Sequence, residues 1–178
     1  MTDTTYMKAL VEAIKFIYNH SGDYFVSTEG RERSMVFRIA HRLANKIEGK
    51  YEDTFVDLEP TKCNGICKTC RHEHDGKEHR IYPDLIIHQR NITGYMVVEF
   101  KCSEQEWEHD ENKLKCLTTP KENNNRSTPF YKLGAFVYLA NELQDIEIHI
   151  YKNGKKDENL TKEYQIKLKG EKYAKIKR

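Results

Sequence analysis

Apolar residues recur with helical spacing in two segments near the amino terminus. The repeat over residues 6–18 predicts a helix that stops at Asn19-His20-Ser21-Gly22, so residues 1–22 are read as an N-terminal helical segment. A second repeat over residues 31–48 predicts a helix ended by Gly49. A third, shorter helix is predicted over residues 105–117. The second helix has the clearest buried stripe, formed by Met35, Val36, Ile39, Ala40, Leu43 and Ile47.

Shorter apolar runs predict strands at residues 54–59, 80–88, 95–102, 131–140 and 146–151, with residues 164–168 as a further edge strand. Asn91-Ile92-Thr93-Gly94 is a turn signal that joins the second and third of these strands into a hairpin. Residues 61–79 read as a Cys/His-rich inserted loop. The order of helix, helix, three strands, helix and two or three strands predicts an α/β sandwich with a mixed central sheet.

Length and composition favour one globular domain, 1–178. The chain is 38% hydrophobic and 33% charged, and its net charge of +2 does not identify an anionic partner. Residues 161–178 form a basic C-terminal segment, with seven Lys or Arg against two Glu. No apolar run approaches the roughly 20 residues of a membrane-spanning helix, and no signal-peptide pattern is present. We therefore expect a cytoplasmic protein whose five cysteines are reduced or bind a metal.

Two short motifs place carboxylates and a lysine on the predicted hairpin. Pro83-Asp84 lies in its first strand and Glu99-Phe100-Lys101 in its second. Side chains alternate along a strand, so Glu99 and Lys101 share one face while the apolar residues between them point to the other. Charged groups in apolar strands cost free energy unless they are paired or bind a metal. This cost indicates a functional site.

Glu32 is also in an unusual position. It lies three, four and seven residues before Met35, Val36 and Ile39, which places its carboxylate on the buried stripe of the second helix. Its side chain is therefore expected to face the sheet rather than solvent.

The element order and these motifs resemble the PD-(D/E)XK nuclease superfamily over residues 32–139. Pro83-Asp84 looks like the PD element and Glu99-Phe100-Lys101 looks like the ExK element. The resemblance implies a restriction-endonuclease-like core (αβββαβ) with a mixed central sheet flanked by helices. The chain is most similar to uncharacterised bacterial members, through Val56-Asp57-Leu58-Glu59, Asp110, Lys113, Leu114 and Tyr131-Lys132-Leu133-Gly134.

The resemblance implies that Asp84 and Glu99 bind one or two Mg²⁺ ions, that Glu32 is a third ligand and that Lys101 positions or activates the attacking water. Converging carboxylates do form an oxygen-rich pocket that suits Mg²⁺ or Mn²⁺. Such a metal polarises a phosphoryl oxygen and lowers the pKa of a bound water. The alternative is structural: Lys101 pairs with Glu99 or Asp84 on a solvated sheet face, and Glu32 pairs with an arginine.

A second constellation lies just before the hairpin. Three cysteines and two histidines fall within twelve residues, and thiolate with imidazole is the ligand set of structural Zn²⁺. A zinc ion would use the three cysteines and one histidine and would stiffen this loop. The spacing also allows an iron–sulfur cluster, and a metal-free loop is the third alternative. The candidate ligands are Cys63, Cys67, Cys70, His72 and His74.

Several cationic residues are candidates for phosphate contacts, namely Lys113, Arg38, Lys169 and Lys172. For Lys113 the favoured interpretation is an exposed i,i+3 ion pair with Asp110. For the C-terminal lysines a solvated tail is the commoner outcome. Arginines beside Glu32 would offset repulsion between a polyanion and the acidic pocket. These are Arg31, Arg33, Arg38 and Arg42.

Minor candidates complete the set. Glu59 ends the first strand and is a weaker candidate for the metal site, and His88 lies too far along its strand to join Asp84. Cys102 is expected to be a small core residue.

Together these observations predict a Mg²⁺- or Mn²⁺-dependent phosphodiesterase that cleaves nucleic acid, with DNA favoured over RNA and endonuclease action favoured. Zn²⁺ is a second, structural metal in this hypothesis. No membrane partner is expected, and homodimer formation is left open. The alternative is a catalytically inactive module of the same fold that binds nucleic acid or a protein.

Overall fold

The computed structural model describes residues 3–26, 31–51, 53–58, 62–63, 66–67, 69–71, 78–89, 93–103, 107–120 and 130–169. The helices in these ranges are α1 (Asp3–Val26), α2 (Arg31–Ile47), α3 (Trp107–Thr118) and α4 (Glu158–Lys169), with a 3₁₀ turn at Leu143–Asp145. The strands are β1 (Thr54–Leu58), β2 (Lys62–Cys63), β3 (Ile66–Cys67), β4 (Thr69–Arg71), β5 (Glu78–Arg80), β6 (Leu85–Gln89), β7 (Thr93–Lys101), β8 (Tyr131–Tyr138), β9 (Glu147–Lys152) and β10 (Lys155–Lys156).

A mixed six-stranded sheet forms the centre, in the order β1-β6-β7-β8-β9-β10. The β7–β8 pair is parallel, and the other neighbours are antiparallel. Two short hairpins, β2–β3 and β4–β5, lie outside this sheet. The α/β architecture and the mixed sheet predicted from the sequence are confirmed.

Helices cover both faces of the sheet. Val98 and Phe100 of β7 point into a core shared with α1, α2 and α4. Val97 points to the opposite side, into a smaller core with Leu114 and Leu117 of α3. Alternation along β7 therefore directs Glu99, which shares the face of Val97, toward α3.

Gly134 brings α3 close to the sheet. A Cβ atom at this position would lie 3.1 Å from Thr118 Cγ2 and 3.2 Å from Leu114 Cδ2. Leu114 therefore rests directly on β8, whose Gly134 pairs with Val97. Asp110 lies one helical turn before Leu114 on α3. It therefore lies over the part of the sheet where Glu99 of β7 pairs with Phe136 of β8.

Two predicted element boundaries were wrong, the end of the first helix and the start of the strand that follows Pro83. The first helix does not stop at residues 19–22 but continues to Val26. Its buried stripe, which includes Leu10 and Ile14, packs against α2 and the sheet, and the Asn, His, Ser and Gly residues that predicted the stop are only weakly unfavourable within a helix. The predicted strand at residues 80–88 begins only at Leu85, because Pro83 lacks the N–H that a central strand needs.

The predicted edge strand at residues 164–168 is part of α4. Leu160, Tyr164 and Leu168 recur every four residues and pack against the larger core. The Leu160 N–H donates to Asp157 Oδ1 at 3.0 Å, which makes Asp157 the N-cap of this helix. A cap followed by an i, i+4, i+8 repeat was the signal for a helix, and the strand interpretation missed it.

In the described part of the chain, no helix has the length and apolar character needed to cross a membrane.

Gly94→Ala is expected to lower the free energy of unfolding by about 2 kcal/mol, because overpacking displaces backbone. A Cβ atom at Gly94 would lie 2.5 Å from the Phe130 carbonyl oxygen and 2.6 Å from Tyr131 Cδ1. Urea denaturation measures the effect. Gly134→Ala is the matched control with a smaller expected loss, since its neighbours are side-chain atoms that can shift. An unchanged urea midpoint for Gly94→Ala would contradict the close approach of β7 and β8.

Candidate functional site

Six charged side chains converge where the start of α2, the middle of α3 and the ends of two central strands meet. We call this group the charged cluster; it consists of Glu32, Asp84, Glu99, Lys101, Asp110 and Lys113. Glu32 comes from the first turn of α2, and Asp84 directly precedes β6. Glu99 and Lys101 end β7, and Asp110 and Lys113 lie on α3.

Two of the carboxylates bind the backbone of β7. The Phe100 N–H donates to Asp84 Oδ2 at 2.7 Å. The Cys102 N–H donates to Glu32 Oε2 at 2.8 Å. Residues two apart on a strand direct their N–H groups to the same side, and β6 ends its pairing at Leu85 with Val98. Asp84 and Glu32 therefore accept hydrogen bonds from the N–H groups of Phe100 and Cys102, which lie past the last residue of β7 that pairs with β6.

The two lysines are held by Asp110 and Glu99. Lys113 Nζ lies 2.8 Å from Glu99 Oε2 and 2.6 Å from Asp110 Oδ1. Lys101 Nζ lies 3.2 Å from Asp110 Oδ2. Glu99 has only 1% of its side-chain surface exposed, whereas Lys101 keeps 25%. Lys113 thus pairs with both buried carboxylates, and Lys101 borders solvent.

Burial and like charge shift the carboxylates toward their neutral forms. Burial raises the pKa of Glu99 well above its ordinary value, and the Asp84 charge adds to this against the opposing effect of Lys113. Burial also raises the pKa of Asp84 to about 6, although the Phe100 N–H and Lys113 lower it. The nearby charges of Asp110 and Glu32 raise it further. Negative charge in this cluster is therefore held at high free energy.

The lysines, unlike the carboxylates, are shifted toward their charged forms. Burial lowers the pKa of Lys113, but Glu99 and Asp110 together outweigh it, so the net shift is upward. Burial likewise lowers the pKa of Lys101, and Asp110 and Glu32 reverse the shift. Both ammonium groups stay charged and offset part of the carboxylate repulsion.

The donor atoms suit a hard divalent cation. Glu99 Oε1 is buried and has no hydrogen-bond partner in the described part of the structure. Carboxylate oxygens are the ligands that Mg²⁺ and Mn²⁺ prefer, so Glu99, Asp84 and Glu32 fit such an ion in kind. Among the described residues, no three His, Cys, Asp or Glu side chains are already spaced as a metal site. The Lys113 ammonium instead bridges Glu99 and Asp110.

The four residues predicted as catalytic, Glu32, Asp84, Glu99 and Lys101, belong to one cluster. The interpretation of Asp110 and Lys113 as an exposed ion pair was wrong, because only 4% and 12% of their side-chain surfaces are exposed. The pair itself is present and joins the site. The missed signal was spacing: Asp110 precedes Leu114 and Leu117 by four and seven residues, so it lies on the buried stripe of α3.

The remaining predicted residues have other positions. His88 Nε2 lies 2.8 Å from Asp57 Oδ2, so its partner belongs to β1 and not to the charged cluster. Arg38 is exposed on α2, and Lys169 is exposed at the end of α4. Glu59 and Lys172 lie outside the described residues.

The cysteines differ from expectation at one position. Cys116 of α3 is disulfide-bonded, so the prediction that all thiols are reduced or metal-bound was wrong for this residue. Cys102 is a free, half-buried thiol packed against the larger core, as predicted. Cys63, Cys67 and Cys70 belong to short strands whose side chains are not described, and His72 and His74 lie outside the described residues. The zinc site stays a prediction.

A scan against protein-family models, a search of curated proteins and a search of solved structures each found no match to this chain. The function proposed below therefore follows from the geometry and chemistry of the charged cluster.

Proposed function

We propose that this protein is a metal-dependent nuclease that hydrolyses phosphodiester bonds in nucleic acid, most readily as a DNA endonuclease. The observation that carries the proposal is the buried Glu99 carboxylate, whose Oε1 atom has no partner among the described residues and whose neighbour Asp84 repels it. A protein gains nothing in stability from two adjacent carboxylates in an apolar setting. A bound cation would turn this unfavourable arrangement into an affinity site.

Four residues of the cluster have roles that follow from their positions. Asp84 and Glu99 would hold Mg²⁺ or Mn²⁺, with Glu32 as a third ligand. When bound, the metal supplies polarisation of a phosphoryl oxygen and a water of lowered pKa. Lys101 borders solvent and carries a full positive charge, so it is placed to stabilise negative charge on an incoming phosphate and to orient the water.

The order of elements supports a restriction-endonuclease-like core. Apart from the two short hairpins β2–β3 and β4–β5, α2 is followed by β1, β6 and β7, then by α3 and β8, which is the αβββαβ order that the resemblance implies. The β1–β6–β7 strands are antiparallel neighbours, and β8 joins β7 in parallel after the α3 crossover. This topology brings Asp84 and Glu99 to the same region, as the proposal requires.

The second candidate function is a catalytically inactive module that binds nucleic acid. One observation favours it: Lys113 already bridges Glu99 and Asp110, so these two carboxylates are paired without a metal. In that case the cluster would stabilise the fold, and Lys113 would not yield to a cation.

Cleavage assays separate the two functions. Supercoiled plasmid, single-stranded DNA and RNA are incubated with the protein in Mg²⁺, in Mn²⁺ and in EDTA. We expect cleavage that requires the metal and is lost in Asp84→Ala, which keeps the rest of the cluster. Cleavage that persists in Asp84→Ala would overturn the site. Absence of cleavage on all substrates, with the wild type folded by circular dichroism, would favour the binding module.

A further inference from the structure

A groove of about 700 Å³ runs between α1 and α2, outside the charged cluster. Three arginines, a histidine and two phenylalanines line most of it, together with smaller residues. The residues used below are Phe16, Arg33, Phe37, Arg38, His41 and Arg42. Its volume lies within the roughly 300–1,000 Å³ of typical ligand sites.

The groove combines exposed aromatic surface with positive charge. Phe37 is 61% exposed, the largest exposure among the exposed large hydrophobic residues that the structure describes. Its ring stacks with His41 at an interplanar angle of 13°. On the other wall the Arg42 guanidinium carbon lies 4.0 Å from the centre of the Phe16 ring. The rings of Phe37 and Phe16 therefore lie in one groove with cationic side chains, and this combination rather than the exposure of a single ring indicates a ligand.

Charge gives the groove a preferred ligand. Arg33 and Arg38 are exposed and both line the groove, and no carboxylate lines it among the residues that the structure describes. Cationic grooves with aromatic platforms suit single-stranded nucleic acid, since phosphates meet the cations and unpaired bases stack on the rings. A duplex hides its base faces and would leave Phe37 unused.

The groove and the charged cluster share the helix α2. Arg33 follows Glu32 directly on α2, and Glu32 binds the Cys102 N–H at the end of β7.

We propose that the α1–α2 groove binds an unpaired nucleic-acid strand, with its phosphates on Arg33 and Arg38 and a base stacked on Phe37. This proposal rests on the proposed nuclease function for its purpose, but binding is measured separately from cleavage. It assigns single-stranded segments, including the unpaired parts of larger substrates, as the class of nucleic acid recognised.

Fluorescence anisotropy with labelled single-stranded and duplex oligonucleotides tests the groove in EDTA, where metal-dependent cleavage is absent. We expect tighter binding of the single strand. Phe37→Ala should weaken it by about fivefold or more, from the loss of one stacked base. Phe37→Tyr should restore it. Arg33→Ala with Arg38→Ala should weaken binding further and flatten its salt dependence. Lys155→Ala, an exposed cation on β10, is the matched control and should bind as the wild type does.

Unchanged binding in both the Phe37→Ala and the double arginine variants would overturn the groove proposal, as would equal loss in Lys155→Ala. No binding to any oligonucleotide would also overturn it and would direct attention to a protein ligand. Failure of the two proposals is distinguishable. Groove-dependent binding without metal-dependent cleavage rejects the nuclease alone, and cleavage with groove-independent binding rejects the groove alone.

Discussion

Glu99→Gln is expected to lower the rate of metal-dependent cleavage by about 100-fold or more without lowering the free energy of unfolding. The two effects have one cause. Glu99 is buried, Asp84 repels it, and one of its oxygens has no partner in the described structure. A neutral amide of the same shape removes the repulsion and the burial of a charge. Lys113 loses a charged partner in Glu99 but keeps its 2.6 Å contact with Asp110, so the fold keeps or gains stability.

The same substitution should change how stability depends on pH in the metal-free protein. The pKa of Glu99 is raised above its ordinary value of 4.5 in the folded state. Above pH 4.5 the folded state therefore holds more protons than the unfolded state at this group, and stability falls as pH rises. Asp84 acts in the same direction from its ordinary pKa of 3.8 up to about 6. Relative to Glu99→Gln, the wild type should lose stability progressively as pH rises from 4.5.

Three measurements on the wild type and Glu99→Gln check this prediction. Cleavage assays give the rate, Mn²⁺ titration calorimetry gives metal affinity, and urea denaturation in EDTA at several pH values gives stability. We expect loss of rate and of Mn²⁺ binding with stability kept. If Glu99→Gln instead unfolds more easily and Mn²⁺ binds to neither protein, the cluster is a structural ion-pair network and the metal site is rejected.

Much of this site was predictable because its residues break local patterns. Glu32 lies on the apolar stripe of α2, and Glu99 alternates with buried residues of β7. A charged residue in such a place must be compensated by something, whatever the fold. Asp110 likewise lies on the buried stripe of α3. It was interpreted as part of an exposed ion pair because Lys113, three residues later, explained its charge locally.

Other features depended on tertiary contacts that no local pattern records. The hydrogen bonds of Asp84 and Glu32 to the β7 backbone exist because β7 continues past Val98, where its pairing with the first residue of β6 stops. The ends of strands are not fixed by propensity. The disulfide of Cys116 depends on which segment lies beside α3, and the redox expectation from composition was wrong for this residue.

Asp110→Asn is expected to have the opposite effect on stability, with a loss of about 3 kcal/mol in the free energy of unfolding. Asp110 and Glu99 are both buried carboxylates, but their partners differ. Asp110 lies 2.6 Å from Lys113 Nζ and 3.2 Å from Lys101 Nζ, so two ammonium groups compensate it. Removing its charge leaves Lys113, with 12% of its side-chain surface exposed, dependent on Glu99 alone. Burial and the Asp84 charge raise the pKa of Glu99 and favour its neutral form, so Glu99 is the weaker partner.

Catalysis should also suffer, because Asp110 positions both lysines. We expect the cleavage rate of Asp110→Asn to fall by about tenfold or more while Mn²⁺ affinity changes little, since Asp110 is not among the proposed ligands. Lys101→Met should reduce the rate comparably and leave stability near the wild-type value, because Lys101 is partly exposed. A loss of rate in both variants, with a loss of stability only in Asp110→Asn, separates the effect of Asp110 on the fold from its effect on the position of Lys101.

A double-mutant cycle between Asp110→Asn and Lys113→Met measures the decisive quantity. If Lys113 is the main partner of Asp110, the double variant should be more stable than the sum of the two single losses predicts. Additive losses would mean that the close contact between Lys113 and Asp110 contributes no coupling energy. In that case Lys113 would be free to leave Glu99 and Asp110 for a phosphate, and the lysine originally predicted to contact nucleic acid would regain that role. Strong coupling would instead mean that Asp110 holds Lys113 in place beside Glu99. A metal ion that binds Glu99 would then have to displace the Lys113 ammonium, so metal binding and movement of the Lys113 side chain would occur together.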